Sequence, residues 1–227
     1  LAHEIKNPLT PIQLSAERLQ LKLDGKLTGN DGDMLRRSTQ TIINQVMAMK
    51  RMVNEFSDYA RLPPPDLTAL DLNALIGEVL GLYENSVACI ELALAADLPL
   101  VRGDASQLRQ IIHNLLRNAE DAQEGMENPW IGIQTRCDGA MVELRVADNG
   151  AGFSPEIMAR VFEPYVTTKA QGTGLGLAIV KKIVDEHGGV IRIHNRQPSG
   201  AQISILLPSA SSAEANAFIG TETSIEN

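Results

Sequence analysis

The first 62 residues repeat apolar side chains at helical spacing, and three consecutive prolines then stop the pattern. Leu1, Ile5, Leu9, Ile12, Ala16, Leu19 and Leu23 advance in steps of four and three. Leu35, Ser38, Ile42, Gln45, Met49, Met52, Phe56 and Tyr59 alternate steps of three and four, the period of a helix-bundle seam. The Gly-, Asn- and Asp-rich stretch 24–33 reads as a loop, so 1–62 is expected to be an antiparallel helical hairpin. Two helices alone bury too little surface. A second copy is expected to complete a four-helix bundle, which makes the chain a homodimer. Pro63, Pro64 and Pro65 lack the backbone donor a helix needs and end the second helix.

Residues 63–70 read as a linker, and from 71 to 208 the pattern is mixed. A helix is expected over 72–84 and a strand over 90–94. A helix capped by Asp104 should run to about 125, followed by strands over 131–136 and 141–147 joined at Asp138-Gly139. The spacing then predicts a helix over 174–187 stopped by Gly188-Gly189, and a last strand pair over 190–195 and 201–207. This order predicts an α+β architecture: the hairpin, then an α/β sandwich with helices on one face of a mostly antiparallel sheet. Residues 209–227 have no periodicity and read as a disordered tail. The net charge of −8 argues against a nucleic-acid partner, and no apolar run is long enough to cross a bilayer. The chain starts at Leu1 without Met or a leader and is expected to be part of a longer protein. Cys89 and Cys137 form no metal or redox motif and read as reduced thiols.

Four clusters carry candidate chemistry. His3, Glu4 and Asn7 open the first helix, and the spacing of four puts His3 and Asn7 on one face. His3 lies off the apolar stripe, and a neighbouring carboxylate can hold one ring nitrogen as N–H and leave the other nucleophilic. Pro8 should kink the helix just below it. Asn114 and Asn118 share a helix face and can offer amide oxygens to a hard cation such as Mg²⁺. His113 beside them reads as a surface residue. Asp148-Asn149-Gly150-Ala151-Gly152 follows an apolar strand, where an aspartate can accept a hydrogen bond from an exocyclic amine and glycines let a ligand approach. Gly172-Thr173-Gly174-Leu175-Gly176 runs into a helix start, which offers free N–H groups and the positive dipole end to phosphates. Phe162 to Lys169 lies between the two glycine clusters and reads as a lid, with Lys169 available to a phosphate. Each cluster alone also has a bland reading, as solvated surface or a flexible turn.

In this order the segments resemble a bacterial sensor histidine kinase. His3-Glu4-Ile5-Lys6-Asn7-Pro8 resembles the phosphoacceptor box and Asn114–Asn118 the asparagine box. Asp148–Gly152 resembles the adenine-binding motif, Phe162-Glu163-Pro164 the phenylalanine motif, and Gly172–Gly176 the second glycine box. Thr10-Pro11-Ile12, Ser15 to Leu19 and Phe162 to Lys169 look most like the NtrY-type nitrogen-regulation kinases, with NtrB-type kinases sharing the lid wording. The resemblance implies a dimerisation and phosphotransfer hairpin followed by a GHKL-type ATP-binding domain. It implies that Asp148 binds the adenine amine, that Asn118, assisted by Asn114, holds Mg²⁺, and that the N–H groups from Gly172 to Gly176 hold the phosphates of ATP. It further implies that His3 takes the γ-phosphoryl group with Glu4 as orienting or basic carboxylate. A response-regulator receiver domain, NtrX-like by analogy, would then accept it on an aspartate. Asn7 would orient a water in the reverse, phosphatase direction. The parent protein would be anchored in the inner membrane through preceding segments, with this part cytoplasmic. The competing readings are a regulator phosphatase, a non-catalytic regulator-binding scaffold, and another GHKL ATPase. The last would have no reason to carry His3-Glu4 on a hairpin.

Overall fold

The computed structural model describes residues 2–60, 62–83, 86–169 and 172–211, with only the backbone of residues 2–4 and 58. They divide into two compact units, one within Leu1–Leu62 and Thr167–Leu175, the other within Pro63–Val166 and Gly176–Asn227.

The first unit is built on two helices, α1 (Ala2–Leu23) and α2 (Asn30–Ala60). Pro8 and Pro11 both lie inside α1, which runs without a break. The expected loop is shorter than 24–33, because α2 begins at Asn30 with Asp31 and Asp33 in its first turn, where carboxylates favour the helix dipole. Leu9 and Ala16 are buried on α1; Thr39, Ile43 and Val46 are buried on α2. Thr39 satisfies its hydroxyl on the carbonyl of Leu35 at 2.8 Å. Lys50 Nζ donates to Gln13 Oε1 at 2.8 Å and so links the two helices. The seam expected on α2 is therefore displaced by one residue from the line that meets α1. Ile42, Met49, Met52 and Phe56 are exposed, as are Ile12 and Leu19 on α1. An apolar stripe on each helix is left uncovered within one chain.

The second unit has a five-stranded sheet in the order β2-β4-β5-β7-β6. Its strands are β2 (Cys89–Ala93), β4 (Trp130–Asp138), β5 (Met141–Asp148), β6 (Val190–Asn195) and β7 (Ala201–Pro208). Only β2 and β4 pair in parallel; the remaining neighbours are antiparallel. A separate two-stranded ribbon pairs β1 (Thr68–Leu70) with β3 (Val101–Gly103), so the stretch read as linker carries a strand. The helices are α3 (Leu72–Leu80), extended by a 3-10 turn over Gly81–Tyr83, α4 (Ala105–Ala122), the short α5 (Pro155–Met158) and α6 (Gly176–Glu186). α6 starts two residues later than its sequence signal. Gly188 takes φ +65° at its end, and the N–H of Gly189 bonds back to Val184.

The period of two in β4 buries Ile131, Ile133 and Thr135 and turns Gly132, Gln134 and Arg136 outward. In α4, Leu108, Ile111, Ile112, Leu115, Leu116 and Ala119 form the buried stripe. Leu144, Ile205, Ile179 and Ile183 join the same core, each burial stabilising by about 1.5–3 kcal/mol. The opposite face of the sheet is polar, with Glu143 flanked by Arg136 and Arg145. β7 continues past its expected end. Ser209 donates to the carbonyl of Ala140 and Ala210 to that of Leu100, so the first residues of the expected tail are held; 212–227 lie outside the described residues.

Candidate functional site

Asp104 starts α4 as its N-cap, with Oδ1 accepting the N–H groups of Ser106 at 2.8 Å and Gln107 at 3.1 Å. Partial burial raises its pKa, but hydrogen bonds from the Ser106 hydroxyl and the N–H groups of Asp66, Gln107 and Ser106 outweigh this and lower it to about 2. From this fixed start α4 carries Asn114 and Asn118 one turn apart, both half-buried. Their amides face the first residue of α6. A Cβ on Gly176 would lie 3.3 Å from Asn114 Oδ1 and 3.7 Å from Asn118 Nδ2. The amide nitrogen of Asn114 is engaged with the Gln110 carbonyl at 3.0 Å. A side chain at 176 would crowd the Asn114 amide, so glycine lets the helix start lie against the pair undisturbed.

One turn beyond Asn118, Ala122 meets the loop that follows β5. A Cβ on Gly150 would lie 2.5 Å from the carbonyl oxygen of Ala122, which accepts the N–H of Ala151 at 3.4 Å. Asp148 ends β5 and is 8% exposed. Its Oδ1 accepts the N–H of Gly150 at 2.8 Å and of Ala201 at 3.2 Å, which fixes the carboxylate plane. Gly152 has φ +70°, and a Cβ there would collide with Asn195 and Gly200. α4 thus carries Asn114 and Asn118 beside Gly176 and, one turn on, meets the Gly150–Ala151 stretch of the loop that follows Asp148. Among the described residues no group of three His, Cys, Asp or Glu could hold a metal ion. The Asn114–Asn118 pair supplies neutral hard oxygens, a donor set that suits Mg²⁺ carrying waters and phosphate oxygens.

Gly172, Thr173, Gly174 and Leu175 belong to the first unit, with Lys169. Thr173 Oγ1 donates to a carboxylate oxygen of Glu55 on α2 and accepts the N–H of Leu175 at 3.3 Å. Lys169 N donates to Thr167 Oγ1 at 3.1 Å, and Gly172 N to the Lys169 carbonyl at 3.1 Å. Asn7 is exposed on α1. His3 and Glu4 lie on α1 too, but their side chains are outside the described residues. His113 is half-buried rather than a surface group, with Nδ1 3.1 Å from the hydroxyl of Tyr83.

Two families match. Residues 1–65 match the His Kinase A (phospho-acceptor) domain. Residues 103–211 match the histidine kinase-, DNA gyrase B-, and HSP90-like ATPase family. The solved catalytic domain of histidine kinase ThkA is 35% identical and superposes with a TM-score of 0.57 over 63% of this chain and 96% of that one. The chain belongs to the sensor histidine kinases. Among kinases of known sequence it is 38% identical to a putative sensor histidine kinase NtrY-like of Rickettsia bellii, over 90% of this chain and 34% of that protein. It is 41% identical to nitrogen regulation protein NtrY of Azorhizobium caulinodans, over 88% of this chain and 26% of that protein. The chain therefore spans about a third or less of these relatives. Full-length ShkA kinase, solved with AMPPNP, superposes with a TM-score of 0.69 at 28% identity over 92% of this chain and 44% of that one. ThkA in complex with response regulator TrrA gives 0.67 at 26% identity over 93% and 60%.

The residues that the sequence did not single out are Asn195, Arg196 and Gly200. Asn195 grips the backbone of Phe153 twice, at 2.8 and 2.7 Å, and Arg196 Nη1 donates to the carbonyl of Asp148 at 2.9 Å. Their only sequence signal is the turn composition Asn-Arg-Gln-Pro-Ser-Gly between two strands.

Proposed function

We propose that this chain is the catalytic core of an ATP-dependent protein-histidine kinase that phosphorylates His3 and passes the phosphoryl group to an aspartate of a response regulator. The observation that carries the reading is the approach of the Asn114–Asn118 amides to Gly176 at the start of α6. Anionic phosphates are stabilised at a helix N-terminus, and a cation between them and the amides would neutralise their charge. Asn118, with Asn114, would hold Mg²⁺, which supplies charge neutralisation on the phosphates when bound. Asp148 accepts the exocyclic amine of adenine, at the start of a loop whose close packing on Ala122, Asn195 and Gly200 requires glycine at 150 and 152. Gly172 to Leu175, with Lys169, contribute further donors to the phosphates. An imidazole nitrogen of His3 forms the new N–P bond as the bond from the γ-phosphorus to the bridging oxygen breaks. ADP leaves with that oxygen, and Glu4 orients the ring and takes its proton.

The uncovered apolar stripes on α1 and α2 support a homodimer through the hairpin. By the resemblance to NtrY-type kinases the regulator would be NtrX-like, and Asn7 would serve the reverse reaction by orienting a water against the aspartyl phosphate. Among the described residues no helix is long and apolar enough to cross a membrane. Membrane attachment of the parent protein would come through segments outside this chain.

The test is incubation with radiolabelled ATP and Mg²⁺ beside a His3→Gln variant and an ATP-binding titration. Acid-labile, base-stable label that the variant lacks supports the reading. Absence of Mg²⁺-dependent ATP binding overturns it.

A further inference from the structure

The carbonyl of Asp148 lies where the ladder between β5 and β7 ends, since the last described pair of those strands is Ala147 with Gln202. A strand continuing past Gln202 would have to place a residue against that oxygen. Gly200 is there instead, with φ +104° and so little room that a Cβ would stand 2.0 Å from the Asp148 oxygen. The missing donor comes from a side chain. Arg196 Nη1 reaches the same carbonyl at 2.9 Å, while its own backbone N–H closes the turn on the Gly200 carbonyl at 2.9 Å.

The guanidinium is not left to find this position by itself. Its Cζ sits 4.7 Å from the ring centroid of Trp130, within cation–π range. The indole lies against Gly132, where a Cβ would meet the ring at 2.5 Å. Trp130 is fixed at the other end as well, because its backbone N–H donates to Asn149 Oδ1 at 2.9 Å. The chain from Gly132 through Trp130 and Arg196 therefore ends on the two residues Asp148 and Asn149. Ala201 N–H and Ser199 Oγ complete the grip, on Asp148 Oδ1 at 3.2 Å and on the Asn149 carbonyl at 3.3 Å.

We propose that Arg196, seated on Trp130, is a positioning residue for Asp148 that sets how strongly the site selects the exocyclic amine of an adenine nucleotide. The inference rests on the reading of Asp148 as the adenine carboxylate. A carboxylate at a strand end discriminates only if its plane is held; the Gly150 and Ala201 N–H groups hold that of Asp148, and Arg196 pins the carbonyl of the peptide that leads from Asp148 towards Gly150. Removal of the guanidinium frees that peptide to rotate and moves the carboxylate off the amine. The phosphate-binding elements near Gly176 are untouched.

The test uses ATP and purine riboside triphosphate, which lacks only the amine, in equilibrium binding to the full chain. The wild-type protein is expected to prefer ATP by about tenfold or more, the range of one charge-assisted hydrogen bond. In Arg196→Met the preference is expected to shrink to about twofold while purine riboside triphosphate binds about as in wild type, and Arg196→Lys is expected to restore part of it. Trp130 is the single tryptophan, so its emission reads the same site without a label. The wild-type emission should respond to ATP more than to the analogue, and that difference should vanish in Arg196→Met. If Arg196→Met fails to fold, Trp130→Leu removes the platform and is expected to give the same smaller preference. An undiminished preference in folded variants overturns the role of Arg196 alone. Equal binding of the two triphosphates by the wild-type protein overturns the reading of Asp148, and the proposal with it.

Discussion

His187 Nε2 accepts the backbone N–H of Asp104 across 3.0 Å, and its Nδ1 stands 2.8 Å from the carbonyl oxygen of Ile183. With Nε2 accepting from Asp104, Nδ1 is the ring nitrogen that donates to the Ile183 carbonyl, so each ring nitrogen has its own partner. The residue after α6 thereby holds the cap of α4, the helix that carries Asn114 and Asn118. His187→Ala leaves the Asp104 donor without its partner and is expected to cost about 1–3 kcal/mol, read by urea denaturation. A variant as stable as wild type would show that the contact contributes nothing.

The cap itself gives a pH dependence. Asp104 has a folded-state pKa of about 2, below its ordinary 3.8, because the hydrogen bonds to its carboxylate outweigh partial burial. A depressed carboxylate contributes stability that is complete above its unfolded value and lost as pH falls through its folded value. Denaturation followed between about pH 5 and pH 2 should therefore show a loss that is smaller in Asp104→Asn. Identical pH profiles for the two proteins would sink this assignment.

Gly200→Ala places a methyl group 2.0 Å from the Asp148 oxygen at a φ of +104°. Both faults act at the loop that follows Asp148, the proposed adenine site. The variant is expected to lose about 2 kcal/mol or more of stability and to bind ATP about tenfold more weakly. Calorimetry and nucleotide titration on the same preparation check both.

Glu143 is buried on the polar face of the sheet between Arg136 and Arg145. Burial pushes its pKa up, but hydrogen bonds from the two arginines and Ser204 bring it below the usual carboxylate range. Glu143→Gln should cost about 1–3 kcal/mol by leaving two guanidinium groups short of charge, with nucleotide affinity unchanged. A shift in affinity would tie this face to the site.

Asn118→Ala is expected to abolish the gain in ATP affinity that Mg²⁺ produces and to leave metal-free binding nearly intact. Titration with and without a chelator separates the two, and a retained Mg²⁺ gain would remove Asn118 from the proposed cation site.

Much of this was legible in the order of residues. Alternation in β4 and β5, the 3.6-residue period of α4, the Asp104 cap and the Gly188 stop are local signals, and each lies where its pattern is strongest. The Asn114–Asn118 face and the Asp148 loop were legible for the same reason. β1 and β3 were not, because three residues carry no period and the ribbon exists only by pairing over a separation of about thirty residues. Arg196 was invisible since its value depends on Trp130 and Asp148, far away in the chain and brought together only by the sheet. The displaced α2 seam has another cause. Two adjacent lines on one helix are both apolar, and the sequence does not say which of them meets α1.

The apolar line that does not meet α1 has a thermodynamic consequence. Leu9, Ala16, Ile43 and Val46 are a small core for two helices of 22 and 31 residues, and Ile12, Leu19, Ile42, Met49, Met52 and Phe56 stand open beside it. A fold completed by a second copy draws part of its free energy from mass action. For the proposed dimer, dilution would act on the hairpin as a denaturant does, whereas the sandwich, whose strands and helices close over their own core, would melt at a temperature independent of concentration.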